Sequence, residues 1–508
     1  MLSFISCMIA IAGAILLLFF KSTHLKEIKA TAIFVSVIIL LASIFLLYPK
    51  SHESVIVFDG TAYFGSDYFS ALSSIVVAFL TLLCIIATQS SGCENFREIT
   101  KSESISTRKY YVMLLMLEGL YILLFSSRSL IISALIILVA ISLLYFMMRK
   151  SDKKLESVAL KTLAFRLTGA FFLILAGIFN GFTEDSCLDL YFFMFGIIFI
   201  LPILPVHTYL SDMFAGIGLK DGLAAIILQF VGFYMLLSFS TAMNTEISSI
   251  AGFWIVLSLI NLIVIVLASR SQLGIYRQFS YVLVFFAGLV AFFNFALIED
   301  IFALNTVKYL ALCTPLILSF CWVCIYQLKL YDESGSFSNI GGKLSGTSIS
   351  MNVLKSFLII SILLVVGIPF TPIFNAIIKA ATALIAMDYT VFIFFIPLNT
   401  TVILVLVLIA FLLHVLNSAN TLQKLFQTSK QKSENHGENS QTEHKDIIIS
   451  RNYIFIAISL LILIVILSIL PVFIFRKLRC DTQKIQNVSS ESQAGTLEIK
   501  SSEGLNEK

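Results

Sequence analysis

The sequence predicts an all-α, polytopic membrane bundle of about fourteen transmembrane helices, some of them discontinuous. Three observations point there. The chain is 58% hydrophobic and only 13% charged over 508 residues, with a mean hydropathy of +0.97, whereas a soluble domain carries about 25% charged residues. Its apolar residues gather into runs of roughly 20, the length that crosses a bilayer as a helix. In lipid each backbone N–H and C=O must be satisfied internally, so such runs are helical. The loops between them alternate between basic and acidic.

Taken in order, the runs place helices near 2–20, 29–48, 68–88, 110–126, 130–148, 162–180 and 189–206. Further helices follow near 222–240, 249–268, 275–297, 309–328, 353–387, 390–417 and 453–475. The first run lacks a basic segment before it and is followed by Lys21, Lys26 and Lys29, so it reads as a retained helix. The stretch 353–387 is too long for one plain crossing, and Gly367-Ile368-Pro369 with Pro372 predicts a break in its hydrogen-bond ladder. Ser429 to Asp446 and Asp481 to Lys508 are polar and read as a mobile loop and tail.

Basic residues set the orientation. With the N-terminus outside, the inner loops hold Lys21, Lys26 and Lys29, then Arg97, Lys101, Arg108 and Lys109, then Arg149, Lys150, Lys153 and Lys154. Lys220, Arg270, Arg277, Lys329, Lys343, Lys424, Lys430 and Lys432 continue the series. The opposite side offers Lys50, Arg128 and Lys308 against Glu184, Asp185, Asp189, Glu246, Glu299 and Asp300. Both termini are therefore expected on the outer face, with Arg476, Lys477 and Arg479 a departure there.

The eight cysteines lie mostly in or beside apolar runs, where Cys behaves as a small hydrophobe. Cys321 and Cys324 form a CxxC inside an apolar helix, read as packing rather than a metal or redox site. No phosphate loop, dinucleotide fingerprint, zinc spacing or hydrolase elbow is present. No cofactor is expected, and any redox chemistry belongs to partner subunits. The 46 phenylalanines read as lipid-facing and packing surface.

Three stretches carry a family resemblance. Leu204-Pro205-Val206-His207-Thr208-Tyr209-Leu210-Ser211-Asp212 is followed by a helix with Val231-Gly232-Phe233-Tyr234. Ser269-Arg270-Ser271-Gln272-Leu273-Gly274-Ile275-Tyr276-Arg277 runs on through Tyr281 to Ala287-Gly288. Gly367-Ile368-Pro369-Phe370-Thr371-Pro372 marks the broken helix. Together they resemble the proton-conducting antiporter-like subunits of NADH:quinone oxidoreductases and of Mrp-type Na+/H+ antiporters, over roughly residues 110 to 475. The resemblance implies discontinuous helices and a polar axis of buried ionisable groups through the membrane centre. Several charged positions of the family hold uncharged residues here: Phe230, Tyr276, Phe286 and Ile377, and no acid occurs from Ser129 to Met148.

The candidates for the proton path are Glu118, His207, Asp212, Gln229, Arg277, Tyr281, Lys379 and His414. Intramembrane charges are rare and default to functional hypotheses. Glu118 sits mid-span, as a relay or bonded to a backbone carbonyl. His207 is a shuttle or a loop histidine fixing helix ends. Asp212 and Arg277 match family positions and serve as path residues or an inner-face ion pair. Lys379 follows the Gly-Pro break, replacing a displaced charge or snorkelling to the interface. His414 is a relay or a helix–helix contact, and Gln229 and Tyr281 hold water in a polar path. Arg166 and Lys355 are expected to snorkel from helix ends.

The organisation expected is 1–109 N-terminal helices, 110–428 translocating core, 429–452 polar loop, 453–475 last helix and 476–508 tail. The expected role is a membrane subunit of a multi-subunit proton or Na+/H+ translocating complex in a bacterial inner membrane. Its expected partners are other membrane subunits, lipid, and protons or Na+, with no nucleic acid. A structural subunit that has lost conduction, and an unrelated solute carrier, stand as alternatives.

Overall fold

The computed structural model describes residues 2–20, 25–47, 56–58, 61–88, 101–149, 153–182, 188–240, 247–329, 336–337, 349–387, 390–393, 396–434, 451–471 and 474–478. They are almost entirely helical. Helices α1 (Leu2–Phe19), α2 (Leu25–Phe45) and α3 (Tyr68–Ala87) are followed by α4 (Lys101–Ser126), α5 (Leu130–Met148) and α6 (Lys153–Phe182). Next come α7 (Leu188–Ile200), the short α8 (Thr208–Gly216), α9 (Leu219–Phe239), α10 (Ile247–Arg270), α11 (Ile275–Ala296) and α12 (Ile301–Lys329). The chain closes with α13 (Ile349–Val366), α14 (Pro372–Ala386), α15 (Thr400–Glu434) and α16 (Arg451–Ile469). Among the described residues, 11 helices are long and apolar enough to cross a membrane, and four shorter apolar ones accompany them.

Two departures from the sequence reading are β-hairpins. β1 (Ile56–Phe58) pairs with β2 (Thr61–Phe64), and β3 (Thr390–Ile393) pairs with β4 (Ile396–Asn399). The helix expected from residue 390 therefore starts at Thr400. The run 390–399 is rich in β-branched and aromatic residues and contains Pro397, a composition that favours a short paired strand over a helical first turn. Of the polar loop expected at 429–446, residues 429–434 continue α15; the remainder, and the tail beyond 478, lie outside the described residues.

Burial sorts the helices into layers. The membrane-length windows of α9, α11 and α12 are 94%, 89% and 94% buried, while α16 reaches 28% and α2 33%. The first three are the centre, hydrophobic all round as a wholly buried helix must be. The outer helices expose Phe19, Phe34, Phe171, Phe195, Phe253 and Phe455. A fully exposed apolar stripe of this kind has lipid as its natural solvent.

At one end of the bundle β2 and the α4–α5 corner are stitched together. Gly65 N donates to the Ser126 carbonyl, and Arg128 N donates to that of Tyr63. Asp67 caps α3, its side chain accepting from Ser70 N while Ser70 Oγ accepts from Asp67 N. Arg128 lies 4.0 Å from the same carboxylate. Burial raises the Asp67 carboxyl, but Arg128, Lys308 and the Ser70 bonds outweigh it and hold it below the usual range.

Candidate functional site

The chain places the candidate residues in three separate groups. The first is built on α4. Glu118 is fully buried, in a 20-residue span running Thr107–Ser126. At 1.5 Å per residue it lies about 16 Å from the Thr107 end, near mid-membrane. Gly119 beside it lets α1 approach: a Cβ there would meet the Ala10 Cβ at 2.9 Å. Among the described residues, the hydrogen bonds that the carboxylate accepts come from Ser36 Oγ on α2, 3.2 Å to Oε1 and 3.3 Å to Oε2. One hydroxyl proton straddles both oxygens.

Toward the end of the bundle that carries Lys29, Lys109 and Lys220, more ionisable groups approach Glu118. Asp221, in the first turn of α9, is 1% exposed. Its charge reaches Cys84 on α3, Tyr110 on α4 and Tyr326 on α12, and Cys84 is also within electrostatic reach of Glu118. The Lys220 ammonium sits 3.9 Å above the Tyr110 ring. A sequence reading passes over Asp221 because it adjoins Lys220, taken as a loop charge. The signal lies in Gly218, the N-cap that puts Asp221 inside the helix.

The second group follows α11. Asp212 on α8 and Arg277 on α11 form an exposed pair at 3.9 Å. One turn deeper, the His207 ring meets Tyr281 edge-on at 6.0 Å, and Gln272 Nε2 donates to the Tyr281 hydroxyl at 3.4 Å. Among the described residues, His207 Nδ1 is enclosed with no hydrogen-bond partner. Deeper again, Gln229 Nε2 donates to the Leu283 carbonyl at 2.8 Å. Asn261, absent from the expected candidates, accepts from Leu204 N at 3.1 Å and donates to the Val284 carbonyl at 3.3 Å. It thereby satisfies a backbone N–H in the irregular connection between α7 and α8.

That seam ends in aromatic packing. Phe230, Phe285 and Phe286 are at most 1% exposed, and Phe285 stacks on His414 of α15 at 4.2 Å. The helix break is as the sequence predicts. Gly367 has φ +70° and Phe370 φ +73°, and Thr371 then caps α14 with Pro372 in its first turn. Tyr276 and Ile377 are likewise buried core residues.

The third place holds Lys379 alone among the candidates. It projects from α14 into an open cavity of about 380 Å³ lined by Asp300, Asn305, Thr306, Thr382 and Phe475. Its ammonium lies 3.7 Å from the Phe475 ring centroid. The site lies at the start of α12, so Lys379 and Glu118 are not neighbours.

One expectation is overturned. Arg166 does not snorkel: it is 1% exposed, ten residues into the span Glu156–Asn180 of α6. Helix α8 folds back beneath it, so Nε donates to the Tyr209 hydroxyl at 3.3 Å. Cys321 and Cys324 are buried free thiols, Cys324 Sγ lying 3.7 Å from the Phe357 carbonyl.

No protein-family model matches this sequence, and no curated protein matches it either. Solved structures match in shape. A chain of the Mrp complex from Dietzia sp. DQ12-45-1b aligns with TM-score 0.75 at 12% identity, over 97% of this chain and 98% of that one. A chain of the archaeal membrane-bound sulfane sulfur reductase gives 0.71 at 14% identity, over 94% and 95%. A chain of respiratory complex I from Thermus thermophilus gives 0.69 at 16% identity, over 94% and 99%. At such identities the likeness is one of architecture, and it spans almost the whole of each chain. The protein is a multi-pass membrane protein with the antiporter-like membrane-subunit fold.

Proposed function

We propose that this chain is a membrane subunit of a multi-subunit proton or Na+/H+ translocating complex, with Glu118 the group that takes up the ion inside the membrane. The observation that carries this is a carboxyl fully buried at mid-span that, among the described residues, accepts from one serine hydroxyl. An isolated ion is expensive there, so the group exists in two states whose balance follows its surroundings. A carboxyl that a partner's movement can hydrate or dehydrate is a device for loading and releasing a proton. Asp221, Tyr110 and Cys84 mark the approach to it from the basic end, which the positive-inside rule turns toward the cytoplasm of a bacterial cell. His207, Tyr281 and Gln229 form a second polar seam that stops at Phe285 and Phe286.

The test is reconstitution of the complex as it co-purifies from its native membrane, in liposomes containing a pH dye. Glu118→Gln should abolish flux, and Asp221→Asn should slow it about a hundredfold, the low end of the scale for one lost acid–base group. Unchanged flux in the Glu118→Gln complex rejects the assignment.

A second reading is a structural subunit that does not conduct. One feature favours it: Phe230 and Phe286, both unexposed, close the centre between α9 and α11. Under that reading Glu118→Gln alters assembly and leaves flux alone.

A further inference from the structure

The open cavity beside Lys379 has no part in the path through Glu118, and its walls are chemically mixed. It lies between the first two turns of α12, the middle of α14 and the segment after α16, and its volume is about 380 Å³. That falls within the roughly 300–1,000 Å³ of small-molecule sites. Phe475 forms one wall, packed on the Tyr309 ring of α12 at 4.9 Å, and the Tyr309 hydroxyl donates to the Leu467 carbonyl at 2.8 Å.

The depth of the cavity follows from α12. That helix has 29 residues, about 43 Å at 1.5 Å per residue. The length matches a hydrocarbon core plus both headgroup layers, about 40–45 Å. Asp300 and Phe302 stand at its very start, so the cavity lies at headgroup level, at the end of the bundle opposite Lys329. It also borders lipid. Thr382 shares one exposed stripe of α14 with Ile378 and Ile385, one turn away on either side and 47% and 60% exposed.

The polar groups on these walls are of two kinds. The Lys379 ammonium is a cationic donor. Asp300 and Thr382 are acceptors. Asp300 takes the Phe302 and Ala303 N–H groups on Oδ1, at 2.8 and 3.1 Å, so both helix-capping bonds fall on one oxygen and the other can serve a ligand. Thr382 Oγ1 donates its hydrogen to the Lys379 carbonyl at 2.9 Å and can only accept from anything else. A cation and two acceptors around one cavity are complementary to a zwitterion that carries a phosphodiester and a primary ammonium. We infer that this cavity binds the headgroup of an ethanolamine phospholipid. Its phosphate pairs with Lys379, its ammonium donates to Asp300 and Thr382, and its acyl chains lie along Ile378 and Ile385. A choline headgroup offers the same phosphate but no N–H. A glycerol headgroup sets a net negative charge against Asp300.

The probes are dioleoyl-phosphatidylethanolamine, dioleoyl-phosphatidylcholine and dioleoyl-phosphatidylglycerol, titrated onto the delipidated full-length protein purified with its partners and counted as bound lipid by native mass spectrometry. The ethanolamine lipid should bind about tenfold more tightly than either of the others, the scale of one charge-assisted hydrogen bond. Asp300→Asn, which keeps an oxygen to cap α12, should remove most of that preference, and the surface change Thr382→Val should reduce it severalfold. Lys379→Met should weaken the ethanolamine and choline lipids alike, by about tenfold. Equal affinity for the ethanolamine and choline lipids overturns the assignment, as does a full preference retained in both Asp300→Asn and Thr382→Val. Displacement of the lipid by an equal concentration of chain-free glycerophosphoethanolamine would show a soluble ligand's site and overturn it too. None of these results depends on whether Glu118 carries protons.

Discussion

Ser36→Ala should destabilise this protein more than Ser36→Ala and Glu118→Leu together. Ser36 Oγ lies 3.2 and 3.3 Å from the two carboxylate oxygens, at the long end for a hydroxyl donor. Stranding a buried acceptor costs about 1–3 kcal/mol. With one proton shared at such lengths, the low end applies, roughly 1–1.5 kcal/mol. Glu118→Leu alone should be cheap, because the Ser36 hydroxyl can turn to the carbonyl one helical turn back, as Ser43 does to Ile39 at 2.9 Å. The double variant has no stranded polar group and fills the volume with apolar atoms, so it should match or exceed the wild-type stability. The cycle should therefore give a coupling of about 1 kcal/mol. The measurement is reversible unfolding of the purified chain in mixed micelles for all four proteins. Additive effects would refute the reasoning, since they would mean that Ser36 and Glu118 do not depend on each other in the folded bundle. Proton flux should be lost in the double variant while its stability rises, separating what Glu118 does for transport from what it does for folding.

At the corner where β2 meets α3, α4 and α5, the Asp67 carboxyl is held below its usual value by Arg128, Lys308 and Ser70 despite its burial. Its contribution should be complete above a pH of about 4 and fade as the pH falls through the lower folded value. Asp67→Asn should flatten the thermal midpoint across that acid range. Gly222→Ala puts a methyl group into the Trp322 indole nitrogen and displaces its bond to the Leu219 carbonyl; a loss of about 1–3 kcal/mol is expected in denaturant unfolding. Lys379→Met removes an ammonium over the Phe475 ring and should cost about 0.5–1 kcal/mol in the same measurement. Because Lys379 lies apart from Glu118, its replacement should leave liposome flux within about twofold of wild type, a change near 0.4 kcal/mol in the barrier.

Much of this architecture is legible from hydropathy because lipid imposes a strong local rule. Twenty apolar residues bounded by charges are helical whatever their neighbours, and the break at Gly367 is written in a glycine with positive φ and a proline that opens the next helix. The hairpins were less legible. Residues 390–393 are as apolar as a helix start, and only their pairing with 396–399 decides the matter. The same limit applies to Arg166. Counting from helix ends places it near an interface, but the structured helix begins at Lys153, nine residues before the apolar run, and carries the arginine to mid-span.

Side-chain function was harder to read because a residue's role here depends on which helix faces it. His207 and Tyr281 meet, as do Asp212 and Arg277, since α8 packs on α11. Glu118 and Lys379 do not, because α4 packs on α1 and α2 while α14 packs on α12. The apolar residues Phe230 and Phe286 suggest a centre without charge, yet Glu118, Asp221 and Arg166 are all buried inside the bundle on other helices. Each is costly to hold there. A purely structural bundle gains nothing from an acid at mid-span on α4, a second acid toward the basic end on α9, and a cation at a similar depth on α6. Their separation onto three helices means that sliding one helix against another changes the field at Glu118. Sensitivity of that kind is what a partner-driven ion site requires, and it is the physical ground for expecting Glu118→Gln to act on flux rather than on assembly.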